Sequence, residues 1–144
     1  MKFLFSSFKQ NNLIVSKPDY ADVILIDSYL NVTKNLKLRY KFKNKLFIHR
    51  IDGPICSYNK KFDLRDKLVY LANKYISDAT IFQSEYSFKK NLENGLNEPQ
   101  FHTIINNSSN PEYFFKNSSK KKNKKLFIAS TSWSKNINKG FDYY

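Results

Sequence analysis

The sequence predicts an α/β domain with a parallel sheet flanked by helices, and three observations carry the prediction. Short apolar runs recur along the 144 residues, and most are continuous rather than alternating, as in strands covered on both faces. The segments between them carry helical periodicity and residues suited to helix caps. The composition, 41% hydrophobic and 17% aromatic, is too apolar for a disordered chain. A chain of this length buries one core and can begin a second.

Six strands are expected. They fall at residues 2–5, at 22–27 around Val23, Ile24, Leu25 and Ile26, at Leu46–Ile51, and at 79–83, 101–106 and 126–130. Residues 29–43 fit two templates. Leu36, Leu38, Tyr40 and Phe42 alternate with basic residues, whereas Val32, Leu36 and Tyr40 stand four apart. Two parallel strands need a crossover between them, which favours the helix. Its lysine-rich face reads first as solvated and second as a contact for lipid head groups. In residues 63–77, Leu64, Leu68, Leu71, Ala72, Tyr75 and Ile76 form one apolar stripe, Asp63 caps the helix and Asp66 sits in its first turn. In residues 84–94, Ser84 caps, Glu85 suits the N-terminus, Phe88 and Leu92 face inward, and Gly95 ends the helix. Residues 107–111 are turn-rich. Residues 118–125, Ser-Ser-Lys-Lys-Lys-Asn-Lys-Lys, have no apolar side chain and read as a linker. The expected organisation is a domain at 1–117, a basic linker at 118–125, and the first strand and loop of an incomplete second domain at 126–144.

The formal net charge is +13, yet the arginines are only Arg39, Arg50 and Arg65. Lysines spread along a chain also rich in Asn, Ile, Phe and Tyr indicate a sequence-wide bias rather than a nucleic-acid patch. No RNP-type, KH or helix-turn-helix signature is present, so nucleic acid is not the expected partner. The positive surface suits phosphate-bearing ligands or an anionic membrane face. Cys56 is the only cysteine, which excludes an intrachain disulfide and suits a reducing compartment. No apolar run has the length of a signal-peptide core or a membrane span. A cytoplasmic location is expected, with the cytoplasmic face of the membrane as a place the chain could rest.

His49 and His102 lack Cys or carboxylate partners at ligand spacing, so no metal is expected. With Gly53, Gly95 and Gly140 as its only glycines, the chain has no dinucleotide fingerprint and no P-loop. Polar motifs instead follow the expected strands, at 49–54, 83–85, 106–108 and 132–140. Ligands of open parallel sheets gather at these C-terminal strand ends, so a binding cleft is expected there. The last motif runs from a strand through a polar loop to Lys139-Gly140 and a helix start, an arrangement suited to an anion.

The series His-Arg-Ile-Asp-Gly-Pro (49–54), Ala-Thr-Ile-Phe-Gln-Ser-Glu-Tyr-Ser (79–87), Ile-Ile-Asn-Asn-Ser (104–108) and Ser-Trp-Ser-Lys-Asn-Ile-Asn-Lys-Gly-Phe-Asp (132–142) resembles GT4-type retaining glycosyltransferases. The resemblance covers roughly residues 21–144. It implies the GT-B architecture of two Rossmann-like domains with the active site between them, here an N-terminal domain and the start of the second. It implies transfer of a sugar from a nucleotide-sugar to a hydroxyl of a glycan, lipid or other acceptor, with retention and without a metal or other cofactor. Lys139 matches the lysine that holds the donor diphosphate. The arginine usual several residues earlier is absent, and Ser132 and Lys135 stand near its place. Asp52 matches the catalytic position near the transferred sugar, where many members carry histidine. Arg50, Gly53, Ser84, Glu85 and Asn107 match the cleft wall, with Ser108 where a glycine is usual. The Glu-x7-Glu segment and the Gly-rich acceptor loop of that family are missing, which implies a fragment inactive as an isolated chain. The alternative expectation is a non-catalytic basic α/β module that binds RNA or an anionic membrane surface. A response-regulator-like or flavodoxin-like domain is a third reading, without the acidic cluster or flavin phosphate loop those would need.

Overall fold

The computed structural model describes residues 11, 13–15, 17–59 and 61–107. The strands expected at 2–5 and 126–130, the linker at 118–125, and the loop bearing Ser132, Lys135 and Lys139 lie outside the described residues. Four strands form one sheet: β1 (Val23–Asp27), β2 (Leu46–Ile51), β3 (Ala79–Phe82) and β4 (His102–Ile104). Their order is β1-β2-β3-β4 and every neighbouring pair is parallel. The crossovers carry α1 (Val32–Lys41), then α2 (Ile55–Asn59) and α3 (Leu64–Ile76), then α4 (Glu85–Glu93). The fold is thus α/β and Rossmann-like, a parallel sheet with helical crossovers.

Strand order places the helices. Right-handed crossovers that always step in the same direction put every connecting helix on one face of the sheet. The register aligns Ile26 with His49, His49 with Thr80, and Ile51 with Phe82, so these side chains share a face. On that face Ile26 and Phe47 pack with Phe42, which follows α1, and with Ala72 and Ile76 of α3. Beside them Ile51 and Phe82 pack with Val69 of α3 and Leu96, and Phe88 of α4 joins at the margin. The expectation of strands covered on both faces is only half met by the described residues. Val23, Leu25 and Leu46, on the other face, are 42–47% exposed.

The expected caps of α3 and α4 and the glycine stop form. Asp63 accepts from the Arg65 N–H at 2.9 Å and Ser84 from the Ser87 N–H at 3.0 Å, as caps should. Gly95 adopts φ +97° beyond α4. Its N–H donates to the Leu92 carbonyl and that of Leu96 to the Asn91 carbonyl, the paired bonds of a Schellman stop.

The stripe expected on α3 needs correction. Only Ala72 and Ile76 of that stripe are buried; Leu64, Leu68, Leu71 and Tyr75 are 42–67% exposed. The helix is rotated so that Asp66, Val69 and Asn73 also face inward. The reason is polar. Asp66 reaches the N–H groups of Ile55 and Cys56 at 2.8 and 2.9 Å, and Asn73 donates to Thr80 Oγ1 at 2.7 Å. A buried polar group left unbonded is costly, so these contacts fix the rotation against the apolar count. Asp66 also explains α2, a short helix that the sequence reading did not anticipate.

His49 lies in the same polar layer with 0% exposure. Its Nε2 is 2.9 Å from the Ser28 carbonyl, which can only accept, so Nε2 carries the proton. Nδ1 is then the acceptor facing the Asn73 amide at 3.4 Å. Burial is the chief cause that pushes the His49 pKa below its ordinary value of 6.5. The unfolded chain takes up this proton before the folded chain does. Stability from His49 is therefore complete above about pH 6.5 and declines as pH falls below it. Urea unfolding at about pH 7 and about pH 5 should show this loss. Substituting His49→Gln should flatten the slope, and an unchanged slope would contradict the account.

Candidate functional site

The C-terminal ends of the strands converge on Arg50. Asp27 closes β1 and lies opposite Arg50 in the parallel register. Arg50 Nη1 donates to Asp27 Oδ1 and to Asp52 Oδ1, each at 3.0 Å. Its Nη2 donates to Gln83 Oε1 at 2.9 Å, just past β3, and to Asn107 Oδ1 at 3.4 Å, past β4. Gln83 Nε2 donates to Asp52 Oδ1, and Asn107 Nδ2 donates to Gln83 Oε1. One guanidinium thus collects groups from four strand ends. Its planar fork of donors suits this better than a lysine ammonium would.

The backbone beneath the cluster is held from α4. Asn91 Nδ2 donates to the Asp52 carbonyl at 2.9 Å and Ser87 Oγ to the Ile51 carbonyl at 3.3 Å. Both residues are buried. They supply the partners that β2 lacks where its ladder ends, and so position Asp52. On the β1 side, Ser28 takes φ +46°, a left-handed conformation uncommon for a residue with a Cβ. Its N–H donates to the Arg50 carbonyl at 2.9 Å and its carbonyl accepts from His49. The turn that carries Asp27 is thereby tied to β2 at two points.

Asp52 stands apart from Asp27. Its side chain is 45% exposed against 22% for Asp27 and 17% for Arg50. Both of its side-chain hydrogen bonds fall on Oδ1. Burial is the main cause that raises its pKa. Asp27 adds to the rise, while Arg50 and Gln83 oppose it. Its folded-state proton affinity is therefore higher than in the unfolded chain, and stability declines as pH rises from about the ordinary 3.8 through the raised value. Relative to its protonated form, the charged Asp52 therefore costs stability at neutral pH.

Beside it, a Cβ on Gly53 would stand 2.8 Å from the Tyr58 hydroxyl and 3.8 Å from the Tyr86 ring. Both tyrosines are about half exposed. Burial is the main cause that pushes the Tyr58 hydroxyl pKa up, with Tyr86 and Asp52 adding to it. Glycine thus allows the Tyr58 hydroxyl to approach the strand end that carries Asp52, with the Tyr86 ring in ordinary contact range.

The sequence-based candidates separate as follows. Arg50, Asp52 and Asn107 meet in one hydrogen-bonded cluster, and Gly53 adjoins it. The Ser84 side chain is engaged in capping α4, while Glu85 is exposed in its first turn. Ser132, Lys135 and Lys139 lie outside the described residues. Asp27, Ser87, Asn91 and the tyrosine pair were not singled out as site residues. Asp27 was the most findable, since a carboxylate ending one parallel strand faces an arginine near the end of the next. A cavity of about 860 Å³ opens at the other end of the sheet, lined by Leu46, Ala79 and Phe101 at the starts of β2, β3 and β4. The candidate functional site is the Arg50 cluster instead, because parallel strands present their ligand-binding turns at their C-terminal ends.

Among the described residues no helix is long and apolar enough to cross a membrane. No family model, curated protein or solved structure matches the chain.

Proposed function

We propose that the Arg50 cluster forms one wall of a glycosyl-transfer site, and that the chain serves a retaining glycosyltransferase using a nucleotide-sugar donor. The observation that carries this reading is Asp52: a half-exposed carboxylate at the strand ends, held through Oδ1 by Arg50 and Gln83. The arrangement can accept a hydrogen bond from a hydroxyl, and the amides of Gln83 and Asn107 can bond others. One guanidinium against two carboxylates leaves this cluster with a net negative charge, which disfavours a phosphate and suits a neutral sugar. The sequence resemblance assigns the donor diphosphate to Lys139, with Ser132 and Lys135, which lie outside the described residues. Catalysis then depends on stabilising the departing diphosphate by Lys139. The acceptor is a hydroxyl-bearing glycan, lipid or similar molecule.

Binding tests this reading without requiring turnover. The protein is titrated with nucleotide-sugars and simple glycosides while the side-chain amide resonances of Gln83 and Asn107 are followed. Sugar-bearing ligands should shift both resonances. Asp52→Asn should weaken that binding by about tenfold or more, as expected for loss of a hydrogen bond to a charged group. The same substitution should leave the unfolding midpoint at neutral pH unchanged or higher, because the charged carboxylate opposes folding. Response only to RNA or polyphosphate, abolished by moderate salt, would replace the proposal with the basic binding-module reading.

A further inference from the structure

We infer that the outer face of α1 and α3 is a docking surface for an anionic lipid bilayer. This inference is independent of the glycosyl-transfer reading. The first observation is the stripe that α3 turns away from the core. Leu64, Leu68, Leu71 and Tyr75 repeat at intervals of four, three and four, within an arc of about 60° on a helix of ~100° per residue. All four are exposed. A stripe this regular, left outside by a helix whose buried side is polar at Asp66 and Asn73, is a surface in want of an apolar contact.

The second observation is charge, and it identifies the occupant. α1 contains no acidic residue, and the one acid of α3, Asp66, is buried and hydrogen-bonded to Ile55 and Cys56. Lys34, Lys37, Lys67 and Lys74 are exposed, and among the described residues none of them forms a salt bridge. Arg39 and Arg65 are instead held by Asp78 and Asp63. The two helices pack against each other, so the leucines of α3 and the lysines of α1 belong to one helical layer. A water-soluble protein partner with an apolar groove would match the leucines alone. An anionic bilayer matches both, accepting the leucines below the head groups and the lysines among them.

The aromatic side chains fit the same occupant. Tyr40, Phe62 and Tyr75 are 60–78% exposed. Each ring has a lysine ammonium above it, Lys43 at 5.0 Å, Lys67 at 5.0 Å and Lys74 at 5.2 Å. An exposed ring paired with a long cationic side chain suits the head-group level, where the ring enters the apolar boundary and the amine remains with phosphate. The overall net charge of +13 adds long-range attraction toward such a surface.

Vesicle co-sedimentation tests the inference. The wild-type protein should sediment with vesicles of phosphatidylcholine containing one part in four of phosphatidylglycerol, and not with phosphatidylcholine alone. Exchanging Leu64, Leu68 and Leu71 together for serine should reduce partitioning by about tenfold or more. These positions are exposed, so the thermal midpoint should change little, and circular dichroism checks that the variant is folded. Charge reversal by Lys67→Glu with Lys74→Glu should reduce binding in the same assay while leaving the leucines in place. Equal binding to both vesicle types, or unchanged binding of the serine variant, would overturn the inference. A wild-type chain that ignores vesicles and forms a dimer abolished by the serine changes would overturn it in favour of a second copy.

Discussion

Arg50→Ala should lower the free energy of unfolding by roughly 2–4 kcal/mol, measured by urea denaturation near neutral pH. The guanidinium makes four side-chain hydrogen bonds, to Asp27, Asp52, Gln83 and Asn107. Its removal leaves two carboxylates near each other without their shared cation, and the Asp27 side chain is only 22% exposed. The loss should be less than for a fully buried pair because the Asp52 side chain, at 45% exposure, can be rehydrated. Asp27→Asn combined with Arg50→Ala should recover part of the loss by removing one of the stranded charges. A cost below about 0.5 kcal/mol for Arg50→Ala would show the cluster to be a solvated surface network of little structural consequence. The substitution should also broaden or shift the Gln83 and Asn107 amide resonances without added ligand, since both side chains lose a partner.

Asp66→Ala should cost about 2–4 kcal/mol, with its principal effect on α2. The carboxylate is 4% exposed and accepts from the N–H groups of Ile55 and Cys56. Those groups stand at the start of a helix of five residues, too short to be stable without an external partner. The exchange leaves two backbone donors unbonded beside a small void in the packed interior. Hydrogen exchange should report the location, with amides of residues 55–59 losing protection before those of α3 and β2. Asp66→Asn should be milder, because its one carbonyl oxygen can still accept from one of the two N–H groups. If the alanine variant lost stability while residues 55–59 kept their protection, the capping role would have to be abandoned.

The distinction between these two carboxylates and Asp52 bears on function. Asp27 and Asp66 are bonded in ways that stabilise the fold. Asp52 is held near Arg50 yet kept partly desolvated, so its charge opposes folding at neutral pH. Buried Ser87 and Asn91 fix the backbone beneath Asp52, and the left-handed Ser28 ties the turn after Asp27 to β2; on the proposed reading this positions Asp52 for binding.

Several features were legible from local sequence because their causes are local. β2 was expected at Leu46–Ile51 and forms there, and α3 lies within one residue of its expected ends. The strand at 101–106 proved shorter, reduced to His102–Ile104, because pairing with β3 supports only that stretch. Residues 29–43, ambiguous by periodicity, became a helix for a topological reason: parallel β1 and β2 require a crossover. The site was partly legible. Arg50, Asp52 and Asn107 were named through polar turns after strands, but Asp27, Ser87 and Asn91 acquire their roles from contacts between distant segments. Ser87 and Asn91 look like ordinary polar positions on a helix face until the helix is seated over the end of β2.

The sequence by itself determined that this is an α/β chain with helices between parallel strands, where most of those elements start and stop, and that polar turns follow the strands. Apolar periodicity, caps and stop glycines act within a few residues, so they are readable without coordinates. Only the tertiary structure decided which face α3 buries, which carboxylates Arg50 gathers, and why Asp52 differs from Asp27 and Asp66. Those outcomes depend on strand register and on side-chain hydrogen bonds between separate elements. The need to satisfy buried polar groups outweighed the apolar stripe, leaving Leu64, Leu68, Leu71 and Tyr75 outside.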